Sequence, residues 1–157
     1  MTELATLLSH RWYNLRREST MTRFELFDHT ADVGIVAYGN DLKEAYANVA
    51  YGMFSLIADL KEVHEEIQRD IDIQALDRES LVVDWLNELL YIFDVDQVIF
   101  SRFEITALSQ SQLRAKAYGE KIDTSRHQLK TEVKAATYHL LKVEEGNGFK
   151  IQVILDI

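Results

Sequence analysis

Two short stretches hold the residues whose types suit chemistry. The first, FDHTADVGIVAYG (Phe27 to Gly39), sets Asp28, His29, Thr30 and Asp32 within five positions and then runs into the apolar Val33-Gly34-Ile35-Val36. Asp and Thr are also common turn formers, because their side chains bond nearby backbone N–H groups, so the stretch reads equally well as a plain turn. The second, VILDI, ends the sequence on Asp156 and Ile157, which sets a side-chain carboxylate beside an α-carboxylate. A strand pattern that runs to the last residue is expected to hold that end in place, where termini otherwise fray. If Asp32 folds against it, three carboxylates share one small volume. Like charges ~4 Å apart cost about 4 kcal/mol at an effective dielectric near ~20. Such a cluster takes up protons, borrows a Lys or binds a cation, and oxygen-only ligands favour a hard ion such as Ca²⁺ or Mg²⁺. Two solvated acids at unrelated surface points are the plainer alternative, and spacing leaves both open.

Other chemistries find little support. The five His (His10, His29, His64, His127, His139) show no HExxH or comparable metal spacing. There is no GxSxG elbow, no GxGxxG or GxxxxGK[ST] phosphate loop, and no Cys to serve as nucleophile, zinc ligand or disulfide partner. Seventeen Lys and Arg against 26 Asp and Glu leave a formal net charge of −9. Unaided nucleic-acid binding is disfavoured by that sign, because neutralising phosphates supplies most of the affinity. No apolar run approaches the ~20 residues that span a bilayer, and no signal-peptide core is read at the N-terminus. A cytoplasmic protein with no membrane role is the expectation.

The elements that must position these residues follow from periodicity. The 157 residues make one domain on length. Leu42, Ala45, Tyr46, Val49, Ala50, Met53, Phe54 and Ile57 recur at the spacing of one buried helix face, with Asp41 as N-cap and Glu44 as its capping-box partner. A second helix fits DRESLVVDWLNELLYIFD, with Leu81, Val82, Trp85, Leu86, Leu89 and Phe93 inward and Asp84, Asn87 and Glu88 outward. Ile67, Ile71 and Ile73 mark a strand. Two hairpins close the chain, one through Ser109-Gln110-Ser111 and one through Gly146-Asn147-Gly148. The order of two strands, helix, strand, helix and four strands predicts an α+β fold, with two main helices on one face of a mostly antiparallel sheet. In residues 1–20, Leu4, Leu7, Leu8, Trp12 and Leu15 fit a short amphipathic helix, and Met21 is an alternative start. Residues 21–157 are then the domain proper.

HTADVGIVAYGNDLKEAYANVAYGMFSLI, LVVDWLNELLYIFD, AYGEKID, EVKAATYHLLKV and the closing VILDI together resemble the archease family, in order, from about Phe24 to Ile157. The extension before Met21 is a departure from that family. The resemblance implies a small α+β accessory protein of the GTP-dependent tRNA-splicing RNA ligase, which promotes guanylylation of the ligase and its turnover. The ligase, not this chain, would then hold the RNA, in keeping with the acidic charge. The resemblance also implies a divalent-metal site, Ca²⁺ in the first place and Mg²⁺ in the second, on Asp32, Asp156 and Ile157. His29, Thr30 and Lys134 match family positions of a supporting kind, His29 and Thr30 orienting the turn; Asp28 stays outside the set. On this reading Asp32 starts a strand so that its carboxylate is rigid, and Gly34 lets another backbone approach. No catalytic residue is expected. The competing classes are a small metal-dependent hydrolase or phosphotransferase on the same acids, with His29 as base, and a chaperone-like modulator of RNA-modifying enzymes.

Overall fold

The computed structural model describes residues 23–157; the amphipathic stripe expected in residues 1–20 lies outside them. Arg23 leads into β1 (Phe24–His29) and β2 (Asp32–Gly39). Then come α1 (Leu42–Ile57), a 3₁₀ turn (Leu60–Glu62), β3 (Ile67–Gln74), α2 (Arg78–Asp96), β4 (Val98–Leu108), β5 (Gln112–Lys121), β6 (Ala135–Gly146) and β7 (Gly148–Asp156). Both helices start where an Asp side chain satisfies an orphan N–H. Asp41 accepts from Glu44 N at 2.8 Å, and Asp77 from Ser80 N at 2.8 Å. Those bonds from Ser80 hold the Asp77 carboxyl below its usual range.

The α+β class, the two helices and the antiparallel pairing all hold. The strands, however, divide between two sheets, ordered β1-β2-β7-β6 and β3-β5-β4. The expected packing of both helices on one face of one sheet therefore becomes a helical layer in contact with both sheets. Helix α1 packs on β2 and β7 of the first sheet and on β4 of the second; α2 packs on β6 and, less extensively, on β3, β4 and β5. Ile35, Ala37, Ile151, Val153 and Leu155 turn one face of the first sheet inward onto Tyr46, Val49, Met53 and Phe54. Phe54, Phe100, Phe103 and Trp85 form a ring cluster with centroids 5.7–6.3 Å apart. Burying each such ring contributes roughly 1.5–3 kcal/mol. Trp85 Nε1 donates to Tyr46 O at 3.0 Å, so the one polar atom of that ring is satisfied.

Two features of the first sheet prepare the site. Strand β2 is central, so its neighbours on both sides have fixed register. Edge strand β6 is interrupted. It pairs with β7 at Thr137↔Ile154 and again at Lys142↔Gln152, so Tyr138 to Leu141 bulge out against the single residue Val153. Leu140 in that bulge has φ 54°, a left-handed conformation rare for a branched side chain.

Candidate functional site

The β1–β2 turn and the end of β7 meet at one corner of the first sheet. His29 pairs with Asp32, so only Thr30 and Ala31 lie in the loop, and Thr30 sits at φ 53°. A β-branched residue in that region carries strain of about 1–3 kcal/mol, and such strain gathers at functional sites. On the other side of β2, Val33 pairs with Leu155. Continued one residue beyond that last pair, the register would set Asp32 opposite Asp156. Directly opposed residues hold their Cα atoms ~4.5–5.5 Å apart and send their side chains to one face. That face is the outer one, away from the helices, because the alternating neighbours Ile35, Val153 and Leu155 point into the core. His29, paired with Asp32, shares the outer face.

Asp32 is half-buried and Asp156 exposed. Neither carboxylate makes a hydrogen bond or ion pair among the described residues. Like charges ~5 Å apart repel by about 3 kcal/mol at an effective dielectric of ~20 and by about 1 in bulk water. Ile157 packs its side chain on the core, which anchors the main chain just past Asp156. Lys134 contributes through its backbone, donating from N to Asp156 O at 2.8 Å. Its side chain is exposed and engaged in no ion pair among the described residues. The idea that a Lys neutralises the acids thus has no contact behind it. Asp32, Asp156 and the main chain of Ile157 are all oxygen donors at one corner, which suits a hard cation. No group of three or more His, Cys, Asp or Glu side chains among the described residues is arranged to hold a metal, so any such site depends on main-chain oxygens or a partner's ligands.

Gly34 has a different role from the one expected. A Cβ there would lie 2.1 Å from Phe27 Cζ, so the missing side chain makes room for the Phe27 ring rather than for a backbone. The ring covers the outer face beside the acids. His139 is the neighbour that sequence reasoning missed. It comes from the β6 bulge, at the far edge of the sheet from β1, yet its ring centroid lies 5.0 Å from that of His29. His29 Nδ1 is buried there without a hydrogen-bond partner among the described residues. Nothing in the spacing of these two His signals the contact; only the bulge creates it.

A second group of ionisable residues lies in the other sheet. Glu120 on β5 is buried, and its carboxylate pairs with Arg126 Nη2 and accepts the His64 backbone N–H. Buried His127 accepts from Asp123 N on Nδ1 at 3.0 Å. Its Nε2 lies 3.3 Å from Glu120 Oε1 but is poorly aligned for a hydrogen bond. Past this cluster the chain is tied to the end of α1 by Lys130 N to Ile57 O (2.8 Å) and Thr131 N to Leu56 O (3.1 Å). Asn87 of α2 then bonds Ala136 twice, Oδ1 accepting from its N at 2.8 Å and Nδ2 donating to its O at 3.3 Å. These ties deliver Lys134 and Ala135 to Asp156.

With this corner described, the comparisons fall into place. Residues 24–157 match the model of the archease protein family. The archease of Methanosarcina acetivorans is 41% identical over 140 residues, covering 86% of this chain and 96% of that one. That of Pyrococcus abyssi is 41% identical over 142 residues, covering 87% and 100%. The solution structure of Methanobacterium thermoautotrophicum protein 1598 aligns with a TM-score of 0.76 at 40% identity, over 87% of this chain and all of that one. A crystal structure from Thermotoga maritima, described as an archease and possible chaperone, shares the fold at a TM-score of 0.57 and 22% identity, over 85% of this chain and 96% of that one. The chain belongs to the archease family. No helix among the described residues is long and apolar enough to cross a membrane.

Proposed function

We propose that this protein is a cytoplasmic accessory factor, without turnover of its own, that activates the GTP-dependent tRNA-splicing RNA ligase by promoting its guanylylation and so its repeated use. The observation that supports this reading is the β2–β7 register, which runs to Val33↔Leu155 and so brings the next residues, Asp32 and Asp156, to one sheet corner, where neither carboxylate is hydrogen-bonded or ion-paired among the described residues. Their oxygens, with a main-chain oxygen of Ile157, would hold a divalent cation, Ca²⁺ first and Mg²⁺ second. When bound, the ion supplies positive charge and open coordination positions at a surface that is otherwise repulsive to phosphates. His29, Thr30 and Lys134 keep supporting roles: the strained turn sets Asp32, and the Lys134 N–H holds the Asp156 main chain. RNA reaches the complex through the ligase, which fits a chain of net charge −9.

The test is guanylylation of the cognate ligase with radiolabelled GTP, with and without this protein. Substoichiometric amounts should accelerate it, and Asp32→Ala should abolish the effect while leaving the fold intact. Full stimulation by Asp32→Ala would contradict the role given to the acids, and no stimulation by the wild type would contradict the ligase reading. Thermotoga maritima's relative is described as a possible chaperone. The same assay addresses that alternative: a chaperone raises the amount of active ligase, whereas an activator raises the rate of ligase already folded.

A further inference from the structure

The β6 bulge does more than bring His139 to His29. It also turns Tyr138 the other way, onto a shallow, open depression formed with Gln74, Ala75, Leu76, Ser80 and Asp84. This groove lies between the β3–α2 loop, the first turns of α2 and the bulge. Its lining has two unusual properties. Leu76 is 95% exposed and Tyr138 59%, so two large apolar side chains face water across one depression. Isolated exposed apolar residues are ordinary, but a shared concave site that collects them marks a surface for a partner. Between them, half-buried Asp84 makes no ion pair or hydrogen bond among the described residues. The walls are also held firmly. Asn87, three residues along α2 from Asp84, bonds both backbone groups of Ala136 and pins the strand that leads into the bulge. Leu140 holds a left-handed conformation to complete the bulge, and backbone strain of that kind persists only where the surroundings enforce it.

We infer that this groove docks a partner protein through a cationic side chain, Arg by preference, flanked by an apolar residue. An Arg there would stack its guanidinium on the Tyr138 ring and pair with Asp84, while its apolar neighbour covers Leu76. The choice of occupant follows from charge. An unpaired carboxylate in a chain of net charge −9 repels phosphates, so the groove is no nucleic-acid site, and it attracts a basic surface. That the occupant is a separate protein rests on the accessory-factor reading above. The groove adjoins the candidate site through consecutive residues, Tyr138 lining one and His139 touching the other.

Two titrations of the full-length protein test this. In the first, calorimetry follows binding to the cognate RNA ligase. Leu76→Asp, at an exposed position, and Asp84→Lys, at a half-buried one, should each weaken binding at least tenfold while circular dichroism shows the protein still folded. In the second, ¹⁵N NMR follows titration with acetyl-Leu-Arg-Leu-amide at millimolar concentration. It should shift the amides of Ala75, Leu76, Asp84 and Tyr138 in the wild type but not in Asp84→Asn, and acetyl-Leu-Glu-Leu-amide should shift none of them. Peptide binding in the groove without any ligase binding upholds the groove and sinks the ligase reading. Ligase binding of equal strength in wild type and both variants overturns the groove and spares the ligase reading. A wild-type dimer that Leu76→Asp turns into a monomer would show that a second copy fills the groove, which also overturns the proposal.

Discussion

Two sets of carboxylates in this protein receive opposite treatment. Glu120 is buried, and every side of it is answered: Arg126 pairs with it, the His64 N–H donates to it, and His127 lies beside it. Asp32 and Asp156 lie at one sheet corner with no donor or cation among the described residues to answer them. Burying a lone charge is costly, so the first set is stable only because its partners are built in. The second set is affordable because it lies at the outer face, where water screens it. The difference separates a latch from a site. Glu120 fixes the strap between β5 and β6, which Arg126 extends by donating from Nη1 to Glu62 O at 3.0 Å. The acids of the corner have no such built-in partner among the described residues.

The largest effect that could break this comparison is at the latch. Glu120→Ala should destabilise the fold by about 2–3 kcal/mol in urea unfolding, below the ~3–5 kcal/mol typical of fully buried pairs because Arg126 is partly exposed. Glu120→Gln, which still accepts from the His64 N–H, should cost less. A loss under about 0.5 kcal/mol for Glu120→Ala would mean that the cluster is no latch, and the contrast with the corner would disappear. A smaller effect of opposite sign sharpens the other half. Thr30 holds a left-handed conformation that glycine adopts freely. Thr30→Gly should therefore raise stability by about 1 kcal/mol, read from the thermal midpoint. If it lowers stability instead, the Thr30 side chain makes a contact worth more than the strain.

Much of the fold was legible because it is local. Asp41 announces the start of the first helix, and the apolar spacing from Leu42 to Ile57 names its buried face. Ser109 at the β4–β5 hairpin also behaves as a turn residue should, its Oγ accepting from Gln112 N at 3.0 Å. What stayed hidden depends on pairing between distant strands. Alternation says which side of a strand is buried but not which strand lies beside it, so one sheet and two sheets look alike in sequence. The bulge was invisible for a related reason: AATYHLLKV reads as an unbroken strand, and the register shift arises only against β7. His139 and the groove at Tyr138 went unread with it. Glu120 looked like an ordinary strand residue, because Arg126 and His127 reach it from a strap with no periodic signal. At the corner itself, the residue types were readable and their meeting was conditional. The β2–β7 pairing brings the two strand ends that carry them to one corner.

The central claim is that Asp32 and Asp156 form one cation site. The direct measurement is thermal or urea unfolding of wild type, Asp32→Ala and Asp156→Ala, with and without Ca²⁺. Binding to the native state at a hundred times Kd adds about 2.7 kcal/mol, so the wild type should gain stability on that scale as Ca²⁺ is raised. Both variants should lose the gain, and without Ca²⁺ each should be as stable as the wild type or slightly more, since removing one carboxylate relieves the repulsion between the two. Calcium-dependent stabilisation that persists undiminished in both variants would contradict the account.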